Sequence, residues 1–234
     1  STKTITHYNH GLKHGLYQHF EYDVLIREEM YDQDNLIEEK DYYAEGGTLY
    51  FQRVYENGST VEEKSFSENG TLIFHDKKNE YGYREFIRAW DENGILTRNE
   101  TYTNGQPNGA WLNAYNPELN KKDSSFYEKG KLLRNSSWEN DQLIAETVFP
   151  ENKKTSHATW DSNGIKTYEK ICDSTGTSYT EKQWSENGKL ISHLTTTITA
   201  AVLMNPTSII FIGSGFYFEN DTLFVFDAGS EPSS

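Results

Sequence analysis

The sequence predicts an all-β protein, built as an elongated, single-layer antiparallel β-meander of repeated hairpins. Three observations predict this fold class. Asn-Gly pairs recur along the 234-residue chain, and an aromatic residue recurs shortly before most of them. The segments between them are rich in Thr, Ile, Phe and Tyr, which suit a pleated, half-buried surface. No segment longer than two turns shows the 3.6-residue periodicity of an amphipathic helix.

The turns are marked by seven Asn-Gly pairs. They are Asn57-Gly58, Asn69-Gly70, Asn93-Gly94, Asn104-Gly105, Asn108-Gly109, Asn163-Gly164 and Asn187-Gly188. Asn-Gly supplies both positive-φ positions of a type I′ turn, whose twist matches that of two antiparallel strands. We therefore expect a tight hairpin turn at these pairs.

The aromatic residues before the turns repeat about every 11 to 12 residues, so one hairpin spans about 23 residues. The series includes Tyr8, Phe20, Tyr31, Tyr43, Tyr55, Phe66, Trp90, Tyr102, Tyr115, Tyr127, Trp138, Trp160 and Trp184. Repeat arrays are stabilised by contacts between neighbouring units. We expect these rings to stack from hairpin to hairpin in place of an aliphatic core. Because strands twist against each other by about 20°, the meander is predicted to be twisted or superhelical.

Composition excludes several classes of function. The chain has 22 Lys plus Arg against 36 Asp plus Glu, a net charge of −14. This charge argues against a general nucleic-acid binder and against docking on anionic lipid. The single cysteine, Cys172, excludes an intramolecular disulfide and a cysteine-based zinc site. Phosphate-loop, zinc-protease and nucleophile-elbow motifs are missing from the sequence, so we expect neither an enzyme nor a cofactor.

Two segments, Tyr8–Tyr17 and Tyr102–Trp111, share the spacing Y-x-x-G-x-x-x-G-x-aromatic. This pattern resembles the MORN-variant repeat, a bacterial relative of the MORN repeat. Other units match through aromatic-x-x-Asn-Gly-x-Leu, as in Trp184–Leu190. The resemblance covers about Tyr8 to Leu194, although most units lack the second glycine. It implies hairpins of about 23 residues and a non-enzymatic binding role, either as an antitoxin component or in the cell envelope.

Four of the seven histidines lie close together in the sequence, at His7, His10, His14 and His19. A zinc site needs three or four ligands converging on one point. A turn near His10 would let His7 face His14, but side chains alternate between the faces of a strand, which scatters the other two. We therefore interpret the four as partly exposed strand and turn residues and expect no metal site.

Pairs of glutamates recur in the first part of the chain. They are Glu28-Glu29, Glu38-Glu39 and Glu62-Glu63. A hairpin turn at Gln33-Asp34 would place Glu28 opposite Glu39, and like charges in that position are destabilising. Such a carboxylate cluster indicates a surface for a basic partner, which acidic patches attract. A register that differs by one or two residues would instead pair the glutamates with Lys40 or Arg27.

A neighbouring hairpin shows ordinary charge complementarity. A tight turn at Asn57-Gly58 places Arg53 opposite Glu62. Opposite charges across a strand pair contribute about 0.2–1 kcal/mol, so this pairing requires no partner protein.

After residue 194 the polar repeat gives way to apolar strands. The segment 195–226 includes Val202, Leu203, Ile209, Ile210, Phe211 and Ile212. Strands that are apolar on both faces are typical of burial on both faces. Two interpretations stay open: a cap, since arrays need atypical end units, or a docking surface for another protein. The predicted organisation is a repeat array over 1–194, these strands over 195–226 and a flexible tail over 227–234.

Together these features predict a non-catalytic protein-binding scaffold, an accessory subunit of a bacterial cell-envelope protein complex. The glutamate pairs and the apolar strands are its expected contact surfaces. The abundance of Tyr, Thr, Ser and Asn favours the periplasm or the outer membrane over the cytoplasm. The longest apolar stretch, Ile198–Ile212, is too short and too interrupted for a membrane-spanning helix. The alternatives are an antitoxin or immunity protein that neutralises a basic toxin, and a carbohydrate-binding module that uses aromatic faces and carboxylates.

Overall fold

The computed structural model describes residues 1–149, 155–173, 175, 177–197, 201–205, 208–211, 215–219 and 222–226. The predicted fold class is confirmed: the chain is all-β, and its strands form an open antiparallel meander that does not close into a barrel. Among the described residues there is no helix, and hence none with the length and apolar character to cross a membrane.

The chain divides into two compact units, and the first is Ser1–Leu132. Strands β1 to β9 each pair with the next. Strand β9 pairs with both β10 and β11, which are separated by Asn108, and β11 pairs with β12. The strands are β1 (Thr2–Asn9), β2 (Leu12–Glu21), β3 (Val24–Asp32), β4 (Asn35–Tyr42), β5 (Leu49–Glu56), β6 (Ser59–Phe66), β7 (Leu72–Lys78), β8 (Arg84–Trp90), β9 (Leu96–Thr103), β10 (Gln106–Pro107), β11 (Gly109–Asn116) and β12 (Lys121–Glu128).

The second unit is Leu133–Ser234. Strands β13 to β18 continue as a meander, and β18 ends three residues beyond the predicted end of the array at residue 194. Two separate hairpins, β19–β20 and β21–β22, follow it. The strands are β13 (Lys131–Glu139), β14 (Gln142–Val148), β15 (Ser156–Trp160), β16 (Lys166–Cys172), β17 (Ser178–Trp184), β18 (Leu190–Thr197), β19 (Ala201–Asn205), β20 (Ser208–Phe211), β21 (Gly215–Glu219) and β22 (Thr222–Phe226). The predicted tail, 227–234, lies outside the described residues.

The Asn-Gly pairs form two kinds of structure. At Asn57-Gly58 and Asn104-Gly105 both residues have positive φ and form two-residue turns, as predicted. The prediction is wrong for the other five pairs, in which the glycine has a positive φ and the asparagine does not. Asn108 separates β10 from β11, which begins at Gly109. The other four pairs close five-residue loops: Ser67–Thr71, Asp91–Ile95, Asp161–Ile165 and Ser185–Lys189.

The longer loops are held by the side chain of their first residue. Asp91 Oδ1 accepts the backbone N–H groups of Asn93 and Ile95 at 3.0 and 2.8 Å. Asp161 does the same for the residues two and four positions on, both at 2.9 Å. Asp side chains commonly stabilise turns by such local hydrogen bonds. A Ser or Asp two residues before Asn-Gly therefore selects the five-residue loop.

Most hairpins contain a β-bulge beside the turn. At each bulge one strand has an extra residue, so the register shifts by one. The predicted aromatic position lies at the shift in Phe20, Tyr31, Tyr55, Phe66, Trp90, Trp138, Trp160 and Trp184. The extra residues on the opposite strands are Ile26, Ile37, Val61, Ile73, Thr97, Ile144, Thr167 and Ile191. The repeat therefore encodes a turn and a bulge together.

Few side chains are fully buried in this one-layer arrangement. Among the described residues, Ile87 is the single buried hydrophobic side chain. The buried polar residues are Glu39, Ser67, Glu100, Ser125 and Ser136. Both faces of the sheet are therefore half-exposed, and polar contacts between strands contribute much of what a core would supply.

Candidate functional site

The candidate site comprises the two faces of strands β2 to β9, where the predicted glutamates lie. Adjacent residues of a strand point to opposite faces, so each glutamate pair is divided between them. We call the face that carries Glu29, Glu39 and Glu63 the arginine face, and the face that carries Glu28, Glu38 and Glu62 the lysine face. Each name refers to the cations that two or more glutamates of that face contact.

The hairpin that turns at Gln33-Asp34 does not have the predicted register. Glu28 lies opposite Lys40, and the prediction that it lies opposite Glu39 is wrong. The bulge at Ile37 shifts the strands by one residue beyond the turn. The alternative register, which pairs Glu28 with Lys40, is the one observed.

The hairpin at Asn57-Gly58 is shifted in the same way. Arg53 lies opposite Glu63, so the prediction that it faces Glu62 is also wrong. The extra residue is Val61. The expected complementarity of charge survives, because the neighbouring glutamate takes the place of the predicted one.

On the arginine face, Glu39 is the central carboxylate and is only 5% exposed. Its Oε2 accepts a hydrogen bond from Arg27 Nη2 at 2.5 Å. Its Oε1 accepts from Arg53 Nη1 and from the Tyr55 hydroxyl, both at 2.9 Å. A buried carboxylate is tolerated when such cations and donors compensate its lost hydration.

The same arginines connect Glu39 to the other glutamates of this face. Arg27 Nε donates to Glu29 at 2.8 Å, and Arg53 Nη2 donates to Glu63 at 3.0 Å. Glu29 and Glu39 lie directly opposite each other, an arrangement that is destabilising without a cation. Arg27 supplies that cation, so the three carboxylates and two arginines form a continuous ladder across β3 to β6.

A triad recurs along single strands of this face. In Arg27-x-Glu29-x-Tyr31 the Tyr31 hydroxyl donates to Glu29 Oε2 at 2.6 Å. In β9, Arg98 Nε and the Tyr102 hydroxyl both donate to the buried carboxylate of Glu100 at 2.6 Å. Spacing by two residues places all three side chains on one face. Burial and the hydrogen bond to Glu100 raise the pKa of Tyr102 to about 12.

On the lysine face, Glu28 is held by uncharged donors. It accepts from Gln18 Nε2 at 2.8 Å and from the Tyr42 hydroxyl at 2.5 Å. Burial and this hydrogen bond raise the pKa of Tyr42 above its usual range. The tyrosine therefore remains a donor to Glu28 through neutral and moderately alkaline pH.

Glu38 and Glu62 of the lysine face pair with cations two residues along their own strands. Lys40 Nζ lies 3.0 Å from Glu38, and Lys64 Nζ lies 2.9 Å from Glu62. His75 Nε2 lies 2.7 Å from Glu62. Burial alone would raise the pKa of Glu62, but the hydrogen bonds from Lys64 and His75 outweigh it and lower that pKa. All six predicted glutamates are thus engaged within the sheet.

An aromatic cluster lies at one end of the arginine face. The ring of Trp111 lies between those of Tyr102 and Tyr127, with centroids 5.1 and 4.4 Å apart. Trp111 Nε1 donates to the Thr101 carbonyl at 2.8 Å. Ring contact between hairpins is therefore observed here, although the rings are tilted and form no flat platform. Tyr8 is 63% exposed, so the prediction that its ring stacks against a neighbouring hairpin is wrong.

The histidines of the first hairpin make separate contacts. His7 Nδ1 lies 2.7 Å from the Leu16 carbonyl oxygen, and His14 Nδ1 lies 3.2 Å from Asp32 Oδ1. An irregularity in the β1–β2 pairing places His7 beside Gly15 and not opposite His14. Within the part of the chain that the structure describes, no three His, Cys, Asp or Glu residues are placed to hold a metal ion.

The predicted C-terminal contact residues lie in the β19–β20 hairpin. Its register brings apolar residues opposite one another, namely Val202 and Ile210, Leu203 and Ile209, and Phe211 and Ala201. Ile212, the sixth predicted residue of this set, lies outside the described residues. The pairing of β19 with β20 therefore brings the other five predicted residues together in one short hairpin.

Sequence reasoning missed the bulges and so missed the true partners of the glutamates. The signal was present as two consecutive apolar residues after a turn, a break in strand alternation that indicates an inserted residue. It occurs in Leu25-Ile26, Leu36-Ile37, Leu72-Ile73, Leu143-Ile144 and Leu190-Ile191. The tyrosines that bind Glu29 and Glu100 could also have been found in the sequence, because each lies two residues after its glutamate and therefore on the same face of the strand.

Comparison with known proteins adds no relative to this description. The chain matches no protein-family model, and a search of curated proteins finds no match. The resemblance to MORN-variant repeats therefore stays a proposal that rests on residue spacing.

Proposed function

We propose that this chain is a non-catalytic protein-binding scaffold of the MORN-variant type, serving as an accessory subunit of a bacterial cell-envelope protein complex. One observation carries the proposal: a one-layer sheet whose two faces are half-exposed and whose predicted glutamates are held by hydrogen bonds and ion pairs within the sheet. Such a sheet offers broad binding surface, as repeat proteins commonly do.

The pairing of the glutamates supports a structural role for them. A carboxylate that acts in catalysis must be able to exchange a proton or contact a substrate. Glu39 instead accepts hydrogen bonds from two arginines and a tyrosine, and Glu62 contacts a lysine and a histidine. Moving these carboxylates to meet a ligand would leave half-buried cations without these partners.

The C-terminal hairpins support a docking role for that segment. Among the described strands, β19 pairs with β20 and β21 pairs with β22, each as a two-stranded sheet. An isolated two-stranded hairpin is marginally stable in water and gains stability by packing against something else. The residues of these strands are mostly apolar. A partner subunit is the surface that we propose covers them.

Affinity capture from the membrane fraction of native cells tests this proposal. The wild-type chain should bring down a complex, and a variant with Val202→Ser, Ile210→Ser and Phe211→Ser should lose it. A matched variant with Glu28→Gln, Glu38→Gln and Glu62→Gln should retain it, since those carboxylates contact side chains of their own sheet. Unchanged capture by the serine variant would overturn the proposed role as a subunit.

A second candidate is an antitoxin or immunity protein that binds a basic toxin. It is favoured by a row of exposed acids, one on each successive turn at the same end of the first unit: Asp23, Glu45, Glu68, Glu92 and Glu118. Turns at one end are two strands apart, so these carboxylates recur about every 10 Å. Such a row attracts a cationic protein and is sensitive to salt.

The same capture separates the two candidates. An antitoxin would release its partner as salt is raised and would lose it in a variant with Glu45→Lys, Glu68→Lys and Glu92→Lys. The subunit proposal expects that variant to retain its partner, because the apolar hairpins make the contact.

A further inference from the structure

Strand β18 is an edge strand of the meander in the second unit. Within the described residues it pairs with β17 along its whole length and has no partner on the other side. Seven of its eight residues are exposed, and Ile191 is 64% exposed. An edge strand of this kind presents a row of unpaired N–H and C=O groups to other chains.

This edge lacks the features that usually prevent pairing. Proteins protect their edge strands with charged residues, especially lysine, or with proline. The sequence of β18, LISHLTTT, has no Asp, Glu, Lys, Arg or Pro. By contrast, β1 at the edge of the first unit carries the exposed Lys3. β18 is therefore open to pairing.

The surroundings of β18 are electrically neutral although the whole chain carries −14. The hairpin 178–197 has two acids, Glu181 and Glu186, and two bases, Lys182 and Lys189. Glu181 is further paired with Lys170 at 2.9 Å. Two copies of this edge can approach without the repulsion that the net charge would otherwise cause.

We propose that β18 binds β18 of a second copy, antiparallel about a two-fold axis, so that two sheets become one. A two-fold axis at Leu194 places Leu194 opposite its own copy and His193 opposite Thr195, with no like charges facing each other. A strand from a charged partner would find no complementary charge on β18. A two-fold contact uses the same surface on both copies and closes at a dimer.

This dimer goes beyond the proposed function and does not depend on it. A scaffold with one copy or two can serve an envelope complex, and a self-pairing chain need not bind such a complex. The capture experiment measures the partner, whereas the oligomeric state of the purified chain measures the β18 contact.

Sedimentation velocity of the purified full chain, from low to high micromolar concentration, tests the proposal. The wild type should pass from monomer to dimer as concentration rises. Thr195→Lys places a cation at the centre of the strand pair and should weaken the dimer at least about tenfold. The matched control Thr4→Lys adds the same charge to exposed β1 and should dimerise like the wild type.

Hydrogen exchange gives an independent readout, since amides of 190–197 should become more protected at concentrations where the dimer forms. If circular dichroism shows that Thr195→Lys is unfolded, Ser192→Lys takes its place in the comparison. A chain that stays monomeric throughout, a dimer that survives the β18 lysine, or open-ended growth beyond a dimer would each overturn the proposal.

Discussion

Glu39 shows at the scale of one residue why this sheet tolerates so many charges. Its carboxylate is buried among the guanidinium groups of Arg27 and Arg53 and the hydroxyl of Tyr55. Both arginines also bind a second carboxylate, since Arg27 donates to Glu29 and Arg53 donates to Glu63. The ladder is thus a shared network, and removal of its central member should affect several contacts together.

Glu39→Ala should lower the free energy of unfolding by about 2–4 kcal/mol, because it leaves two arginines without their buried partner. Glu63→Ala is the matched control, at the more exposed end of the ladder, and should cost no more than about 1 kcal/mol. Urea unfolding at neutral pH measures both variants. Equal losses for the two would contradict the central place of Glu39 in the ladder.

The tyrosines of the triads predict a loss of stability in alkali. The pKa of Tyr102 is about 12 in the folded chain against an ordinary 10.0. Folding therefore favours the protonated phenol, and its contribution is complete below pH 10 and lost between about pH 10 and pH 12. Urea unfolding across that interval should show a falling free energy of unfolding, and Tyr102→Phe should reduce the fall.

Absorbance titration of the phenolate supplies the matching observation. The difference between the wild type and Tyr102→Phe should correspond to a tyrosine that ionises near pH 12. A difference centred near pH 10 would contradict the described environment of Tyr102.

At the scale of the element, the hairpin is defined by its turn and its bulge. The residue types were enough to predict where the strands turn, because Asn-Gly pairs and pairs that contain Asp favour left-handed backbone conformations. They did not reveal the register beyond the turn, because one inserted residue such as Ile37 or Val61 shifts every later pair. That is why the predicted partners of Glu28 and Arg53 lie one residue away from the observed ones.

One turn carries a residue poorly suited to its backbone. Tyr22 has φ of 48° at the first position of a two-residue turn and is 82% exposed. Tyr22→Asn should raise the free energy of unfolding by about 1 kcal/mol, because asparagine adopts this conformation more readily. Gly58→Ala should lower it by a similar amount, since φ is +74° there and the added methyl meets no atom. Chemical denaturation that gives either variant the opposite sign would contradict this assignment.

Deletion of Ile37 tests the role of the bulge directly. Without the extra residue the hairpin would become regular and keep its pairs, Glu28 with Lys40 and Glu29 with Glu39, but it would lose the local bend and twist that the bulge introduces. We expect a loss of about 1 kcal/mol or more in the free energy of unfolding. Ile37→Val keeps the extra residue and should stay within about 0.5 kcal/mol of the wild type. A deletion as stable as that control would contradict a structural role for the bulge.

At the scale of the whole molecule, the period of 11 to 12 residues was enough to predict an all-β meander, because turn residues at that spacing, with no helical periodicity between them, are typical of short strands joined by tight turns. The faces on which Glu29 and Glu28 lie could not be predicted without the bulges. The contact surfaces depend on the partner as well as on this chain, so the sequence pattern supports them only as proposals. The apolar residues of β19 and β20 are where composition departs most from the repeat.

We propose that this chain acts by holding a partner protein. Native mass spectrometry of the complex captured from membrane extracts tests this role. The wild type should be found with other subunits in a fixed whole-number ratio, and the variant at Val202, Ile210 and Phe211 should be found without them. Recovery of the wild type with no other subunit would contradict the claim.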